Sequence, residues 1–100
     1  MKRSLKVADV LKKARECIDK GRYYDTSHSA LRKRQRCISL PEILYVLRHG
    51  YHEKKKDEYK PEYNDWTYAL RGKTIDEKDI RIAVAFDLDD MLIITVIEID

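Results

Sequence analysis

A histidine and two arginines follow one another at intervals of four in this sequence, as His28, Arg32 and Arg36. Residues four apart in a helix lie one turn apart on the same face, so these three side chains would line one side of a helix. Imidazole exchanges protons near neutral pH, and guanidinium groups bind phosphate oxygens bidentately while remaining charged. The spacing therefore suits a phosphate-handling site, and it equally suits an ordinary basic surface helix.

Basic residues are concentrated in particular stretches of the chain. Lysine and arginine total 21 against 18 aspartates and glutamates, which leaves a formal net charge of only +3. Because so small a net charge does not itself indicate nucleic-acid binding, the distribution of charge carries the information. Acidic residues dominate the C-terminal quarter. The candidate nucleic-acid-binding residues fall in two basic runs, which contain Lys33, Arg34 and Arg36, and Lys54, Lys55 and Lys56.

Neither a metal nor an organic cofactor is predicted. The three histidines have no cysteine or carboxylate at ligand spacing, and no Walker loop, dinucleotide fingerprint or nucleophile elbow is present. Cys17 and Cys37 are too few for a disulfide framework and are expected to be reduced thiols. No charged-then-apolar leader and no apolar run of membrane-spanning length occur. We therefore expect a cytoplasmic protein with no membrane partner.

The first half of the chain has the apolar periodicity of helices. One helix is predicted over residues 5–20, and a shorter one over residues 29–35. A third helix begins after Ser39, because Glu42 lies three residues further on and completes a capping box. Gly50 ends this helix.

From Tyr51 onward the apolar period changes to two, which is typical of strands. A charged edge strand is predicted over residues 51–59 and a half-buried strand over residues 65–71. The last two strands, residues 80–88 and 91–99, are joined as a hairpin at residues 89–90. Helices followed by strands predict one α+β domain over residues 1–100, with N-terminal helices on one face of a four-stranded, mainly antiparallel sheet.

Two further polar side chains are site candidates because of where the strands place them. Arg71 ends a strand just before Gly72, where its side chain is expected to point toward the helices. Thr95 lies on the face of Ile82 if the hairpin turn has two or four residues. A three-residue loop would instead place Thr95 beside Ala83. Taken alone, Arg71 is better explained as a surface charge, and Thr95 as an ordinary sheet threonine.

The order of a histidine, two arginines, a capped helix, an Arg-Gly pair and a closing Ile-Thr-Val resembles a bacterial domain of unknown function, DUF4258. The similarity covers about residues 24–99, with Cys37 standing where the family pattern has glycine. That family resembles RelE-like and BrnT-like ribonuclease toxins in fold grouping. The resemblance implies a RelE-like fold with RNA held against the sheet. As an alternative to binding nucleic acid, Arg36 would anchor the helix through a salt bridge. The resemblance also implies four catalytic residues, His28, Arg32, Arg71 and Thr95.

Two functions from different classes are compatible with these features. The first is a toxin-like, metal-independent endoribonuclease, in which the RNA 2′-hydroxyl attacks the adjacent phosphorus and leaves a cyclic phosphate. His28 would exchange the proton, Arg32 and Arg71 would stabilise the developing charge, and Thr95 would orient a phosphate oxygen. The alternative is a non-catalytic module of the same fold that binds nucleic acid or an antitoxin-like partner protein.

Overall fold

Two α-helices and a six-stranded mixed sheet make up the described chain. The computed structural model describes residues 6–26, 38–62 and 64–99. Helix α1 spans Val10–Asp19, and helix α2 spans Leu40–His49. The strands are β1 (Tyr23–Asp25), β2 (Tyr51–His52), β3 (Glu58–Lys60), β4 (Asp65–Lys73), β5 (Asp79–Asp87) and β6 (Asp90–Glu98), with a 3₁₀ turn at Lys54–Lys56 between β2 and β3.

The predicted α+β class is confirmed, but the predicted four-stranded sheet is wrong, because six strands are present. One addition is β1, which has only three residues. The other arises because the 3₁₀ turn divides the predicted edge strand into β2 and β3. Segments this short carry too little alternation to be recognised in a sequence. The predicted helix over residues 29–35 lies outside the described residues.

Helix α1 begins later than its apolar periodicity predicts. Residues 6–9 are not helical, and the side chain of Asp9 caps the helix by accepting a hydrogen bond from the Lys12 amide at 3.1 Å. The preceding chain is held by the sheet instead, since the Val7 amide donates to the Tyr68 hydroxyl at 2.9 Å. Gly21, with φ +69°, supplies the left-handed residue expected after the helix.

Helix α2 begins with the predicted capping box and ends in close contact with β4. Ser39 and Glu42 exchange hydrogen bonds through their side chains and backbone amides. At the other end, a Cβ added to Gly50 would overlap the carbonyl oxygen of Arg71, and one added to Gly72 would lie 3.0 Å from the Gly50 Cα. Two glycines therefore allow the end of α2 to pack directly on β4.

The strand order is β1-β6-β5-β4-β2, and β3 also pairs with β4. Strand β1 runs parallel to β6, whereas the remaining pairs are antiparallel. Both helices pack on one face of this sheet around buried residues such as Ile43, Leu70 and Ile82. No helix of the described ranges is long and apolar enough to cross a membrane. We call the other side the open face; it carries Thr67, Ala69, Arg71, Arg81, Ala83, Ala85, Leu92, Thr95 and Ile97.

A β-bulge decides which face Thr95 occupies. The hairpin turn has two residues, as one of the predicted alternatives requires, and it precedes Asp90. However, Val84 pairs with Ile93 while Ala83 pairs with Thr95, so Ile94 is an extra residue in β6. The bulge reverses the alternation that follows it. Thr95 consequently lies opposite Ala83 on the open face, and the expectation that a two-residue turn places it beside Ile82 is wrong.

Candidate nucleic-acid interface on the open face

Two of the four predicted catalytic residues share the open face. Arg71 lies on β4 and Thr95 on β6, with β5 between them. The 3₁₀ turn Lys54–Lys56 borders the same face at the outer edge of β4. The remaining predicted residues lie outside the described residues: His28, Arg32, Lys33, Arg34 and Arg36.

A shallow groove of about 290 Å³ runs across the open face. Its floor is formed mainly by small and aliphatic side chains, because β4 and β5 each contribute an alanine, Ala69 and Ala83, and β6 contributes Ile94 and Ile97. Thr67 and Thr95 add hydroxyl groups, and lysines border the groove. The lining residues outside the floor are Lys56, Glu58, Lys60 and Arg81.

Arg71 lies on the open face but is fully engaged by carboxylates. Its Nε and Nη2 donate to the two carboxylate oxygens of Asp79 at 3.1 and 2.8 Å, and its Nη1 donates to Glu53 at 3.2 Å. The bond to Asp79 raises the pKa of Arg71 above its ordinary value, and it lowers the pKa of Asp79. A phosphate would have to displace a carboxylate from this arginine. The prediction that Arg71 points toward the helices is wrong, because Leu70 and Gly72 face them.

Arg81 lines the groove and binds an acidic residue that precedes the 3₁₀ turn. The register places Arg81 opposite Ile97, and its Nε donates to a Glu53 carboxylate oxygen at 2.7 Å. This bond is the main cause that lowers the pKa of Glu53, and Arg71 lowers it further. The four groups Glu53, Arg71, Asp79 and Arg81 thus form a formally neutral network beside the groove.

Three consecutive lysines project from a turn that two acidic residues hold in place. We call Lys54–Lys56 the lysine turn. The Lys56 amide donates to the Glu53 carbonyl at 2.9 Å, and the Asp57 amide donates to the Lys54 carbonyl at 3.1 Å. The three lysines are exposed and form no ion pair with the described part of the chain. Their charge is therefore available to a ligand.

Asp57 fixes the far end of the lysine turn from inside the protein. Its side chain is only 1% exposed, and it accepts a hydrogen bond from the Ala69 amide at 3.0 Å. The Glu53 amide donates to the Ala69 carbonyl at 2.8 Å, so both flanking acids bind the same residue of β4. On the helix side, His52 Nε2 and Lys6 Nζ contact the Asp57 carboxylate at 2.9 and 3.1 Å. In the sequence, Glu53 and Asp57 stand directly before and after the three lysines, and this spacing is the signal that could have identified them.

The hydroxyl of Thr95 makes no hydrogen bond to another described residue, whereas Thr67 donates a long one, 3.4 Å, to the Glu58 carbonyl. Thr95 can therefore bind a polar ligand in the groove. Within residues 6–26, 38–62 and 64–99, no group of three or more histidine, cysteine or acidic side chains could hold a metal ion.

Residues 26–98 match the model of a protein family described as a domain of unknown function, DUF4258. No curated protein and no solved structure matches the chain. The matched residues include β2 to β6, the lysine turn and helix α2, and they exclude α1. Since the match spans most of the 100 residues, the chain belongs to the DUF4258 family.

Proposed function

We propose that this domain binds RNA on the open face of its sheet, with the lysine turn contacting the phosphate backbone. One observation carries the proposal: a groove that none of the described elements covers lies beside three consecutive lysines whose backbone is fixed by Glu53 and Asp57. A fixed turn presents charge without the entropic cost of ordering a flexible loop. Lysine contacts to phosphates release counterions, and that release drives binding at low salt.

The chemistry of the groove indicates recognition of the RNA backbone. The described lining contributes lysines, Arg81 and the Thr95 hydroxyl, and its apolar part is mainly alanine and isoleucine. Sequence-tolerant recognition of bases generally uses aromatic platforms. Among the described lining residues Tyr68 is aromatic, but it is only 2% exposed and its hydroxyl accepts a hydrogen bond from the Val7 amide, so it offers no such platform. A threonine hydroxyl can bind a phosphate oxygen or the ribose 2′-hydroxyl. We therefore expect binding with little sequence preference.

Salt-dependent binding tests this proposal. A fluorescein-labelled uridine RNA of roughly 12 nucleotides is titrated with protein at several salt concentrations, and anisotropy gives the affinity. Replacing two lysines, Lys55→Gln with Lys56→Gln, should weaken binding and reduce the slope of log affinity against log salt by roughly 0.7 per lost contact. The matched control, Lys12→Gln with Lys20→Gln, removes two exposed lysines from α1 and its cap. Equal slopes for both variants would exclude the lysine turn from the interface.

The second candidate is a metal-independent endoribonuclease of the RelE-like or BrnT-like kind. The order of histidine and arginines that resembles those toxins supports it, as does the location of Arg71 and Thr95 on one face. His28 would remove the proton from the 2′-oxygen as that oxygen bonds to phosphorus. The bond to the 5′-oxygen then breaks, the 5′-oxygen takes up a proton, and a 2′,3′-cyclic phosphate remains.

In this proposal Arg32 has the main charge-stabilising role, because Arg71 is engaged by Asp79 and Glu53. Arg71 would act by holding the edge of the groove.

Cleavage is tested with purified protein, mixed RNAs and excess chelator. His28→Ala should lower the rate by roughly 10²- to 10⁴-fold, the usual contribution of a positioned acid or base. His49→Ala is the control, since His49 is an exposed histidine near the end of α2. Equal cleavage by all three proteins would indicate a contaminating nuclease. RNA binding without cleavage would identify a non-catalytic module, and binding of only an acidic antitoxin-like protein would contradict the RNA proposal.

A further inference from the structure

The hydrogen-bonded ladder between β4 and β5 ends before the strands do. It runs from the pair Lys73–Asp79 to the pair Tyr68–Val84. Beyond that point, residues 65–67 of β4 pair with β3, and residues 85–87 of β5 pair with β6. The two central strands therefore diverge, and we call this opening the fork. Residues 85–87 of β5 therefore present to the fork an edge that no described strand occupies.

A cleft of about 610 Å³ lies in the fork, and its lining is largely apolar. Its apolar lining comes from three strands, because β4, β5 and β6 all border the opening. Ile94, the bulge residue, is 37% exposed here. The apolar lining residues are Trp66, Ala85, Phe86, Leu92 and Ile94.

The charges around this cleft are predominantly acidic. Glu62, Asp65 and Asp87 line it, whereas Lys60 is the basic residue among the lining side chains. Lys60 already forms an ion pair with Glu58 at 2.8 Å. The fork is thus acidic at its rim, while the groove beside the lysine turn is bordered by basic residues.

We propose that the fork binds an extended segment of a partner protein in which apolar and basic side chains alternate. The segment would add a strand along residues 85–87 of β5, because unpaired strand edges bind extended peptides through backbone hydrogen bonds. Side chains of a strand point alternately to opposite sides. Apolar residues would therefore enter the cleft, and basic residues would reach Asp65 and Asp87 at its rim.

The acidic rim also argues against two other occupants. A second copy of this chain, pairing edge to edge at the fork, would bring Asp87 and Asp65 against their counterparts and create like-charge repulsion. RNA phosphates would meet the same acidic groups. A basic segment is the class of ligand whose charge complements the cleft, and the proposal is independent of RNA binding at the lysine turn.

The chain contains one tryptophan, Trp66, which lines the cleft and therefore reports its occupancy. The probe is a synthetic peptide of about six residues in which valine alternates with lysine, a length typical of one strand. Titration should shift the tryptophan emission of the full chain and saturate. The same peptide with glutamate in place of lysine should bind roughly tenfold more weakly or worse, because its charge repels the acidic rim. A peptide N-methylated at alternate residues should lose a similar amount, because it cannot form all the backbone hydrogen bonds of an added strand.

Charge removal at the rim completes the test. Asp65→Asn with Asp87→Asn should weaken binding of the lysine peptide roughly three- to tenfold, as expected for two partly exposed ion pairs. Asp76→Asn, an exposed acid at the opposite end of β5, should leave it unchanged. Equal binding of the lysine and glutamate peptides would overturn the proposal. So would equal affinity of the double variant and the wild-type protein for the lysine peptide. Binding detected by peptide anisotropy without any change in tryptophan emission would also overturn it. Sedimentation showing a dimer that the double variant strengthens would identify a second copy as the occupant.

Discussion

The two ends of the open face differ in what happens to their acidic residues. At the lysine turn, Glu53 and Asp57 are turned toward the sheet and bind arginines, a histidine and the backbone of β4. At the fork, Asp65 and Asp87 remain at the rim of a cleft. The same strand, β4, is paired on both sides at the first end and on one side at the second.

This difference explains how opposite surface charges arise on one small face. At the lysine turn the acids are used internally, so the positive charge of the lysines remains. At the fork the basic residue Lys60 is paired with Glu58, so the negative charge of the acids remains. A net charge of +3 averages these two surfaces and reveals neither. The sign of the charge on each of these two surfaces therefore depends on whether its acidic side chains are bonded within the protein or line the cleft.

The largest expected effect concerns the core beneath the paired part of β4 and β5. Ile82 is fully buried against the helices, whereas Ile97 lies half-buried on the open face. Ile82→Ala should lower the free energy of unfolding by about 2–5 kcal/mol, because it leaves a cavity. Ile97→Ala should cost less than about 1.5 kcal/mol, since less apolar surface is lost. Urea unfolding measures both. Equal losses of unfolding free energy in the two variants would mean that Ile97 is buried and that this face of the sheet is covered.

The next effect tests whether Glu53 holds the lysine-turn end together. Glu53→Gln keeps the shape of the side chain but removes the charge that binds Arg71 and Arg81. Loss of hydrogen bonds to charged groups should lower the free energy of unfolding by about 1–3 kcal/mol at pH 7. Glu98→Gln removes an exposed acid at the end of β6 and should change stability little.

The pH dependence of this effect follows from the lowered pKa of Glu53 in the folded protein. A carboxyl with a lowered pKa stabilises the fold above its unfolded pKa, roughly 4.3, and that stabilisation is lost as pH falls through the folded value. The difference in free energy of unfolding between wild type and Glu53→Gln should therefore be constant above about pH 5 and should shrink toward zero at lower pH. A difference that persists after acidification would show that the charge of Glu53 is not what stabilises this end.

The parts of the fold that depend on local sequence were predictable. Ser39 and Glu42 identified the start of α2, and Gly50 identified its end. The α+β class followed from the change of period at Tyr51. The predictions that failed depend on contacts between residues distant in sequence. Strand β1 forms because its three residues pair with β6. The bulge at Ile94 is likewise determined by the pairing of β5 with β6.

The site was predictable in its residue types more than in their roles. The lysine turn was recognised as a basic run, and the structure supplies its rigidity through Glu53 and Asp57. Arg71 has the chemistry of a phosphate ligand, but Asp79, opposite Lys73 at the start of β5, occupies its guanidinium. Alternation alone would have placed Arg81 on the face away from Ile80 and Ile82. Ion-pair partners eight or more residues away cannot be chosen from spacing.

The smallest expected effect comes from making the acidic end resemble the basic end. Asp87 is exposed at the end of β5, so Asp87→Lys should preserve folding while adding positive charge to the fork. If RNA lies along the open face, its affinity should rise roughly two- to fivefold at low salt, the size expected of one exposed charge contact. The gain should disappear at high salt, where exposed charges are screened. Asp76→Lys adds the same charge in the β4–β5 loop at the opposite end of β5 and serves as the control. The same gain from both variants would indicate attraction to net charge alone, whereas a gain confined to Asp87→Lys would place the RNA across both ends of the open face.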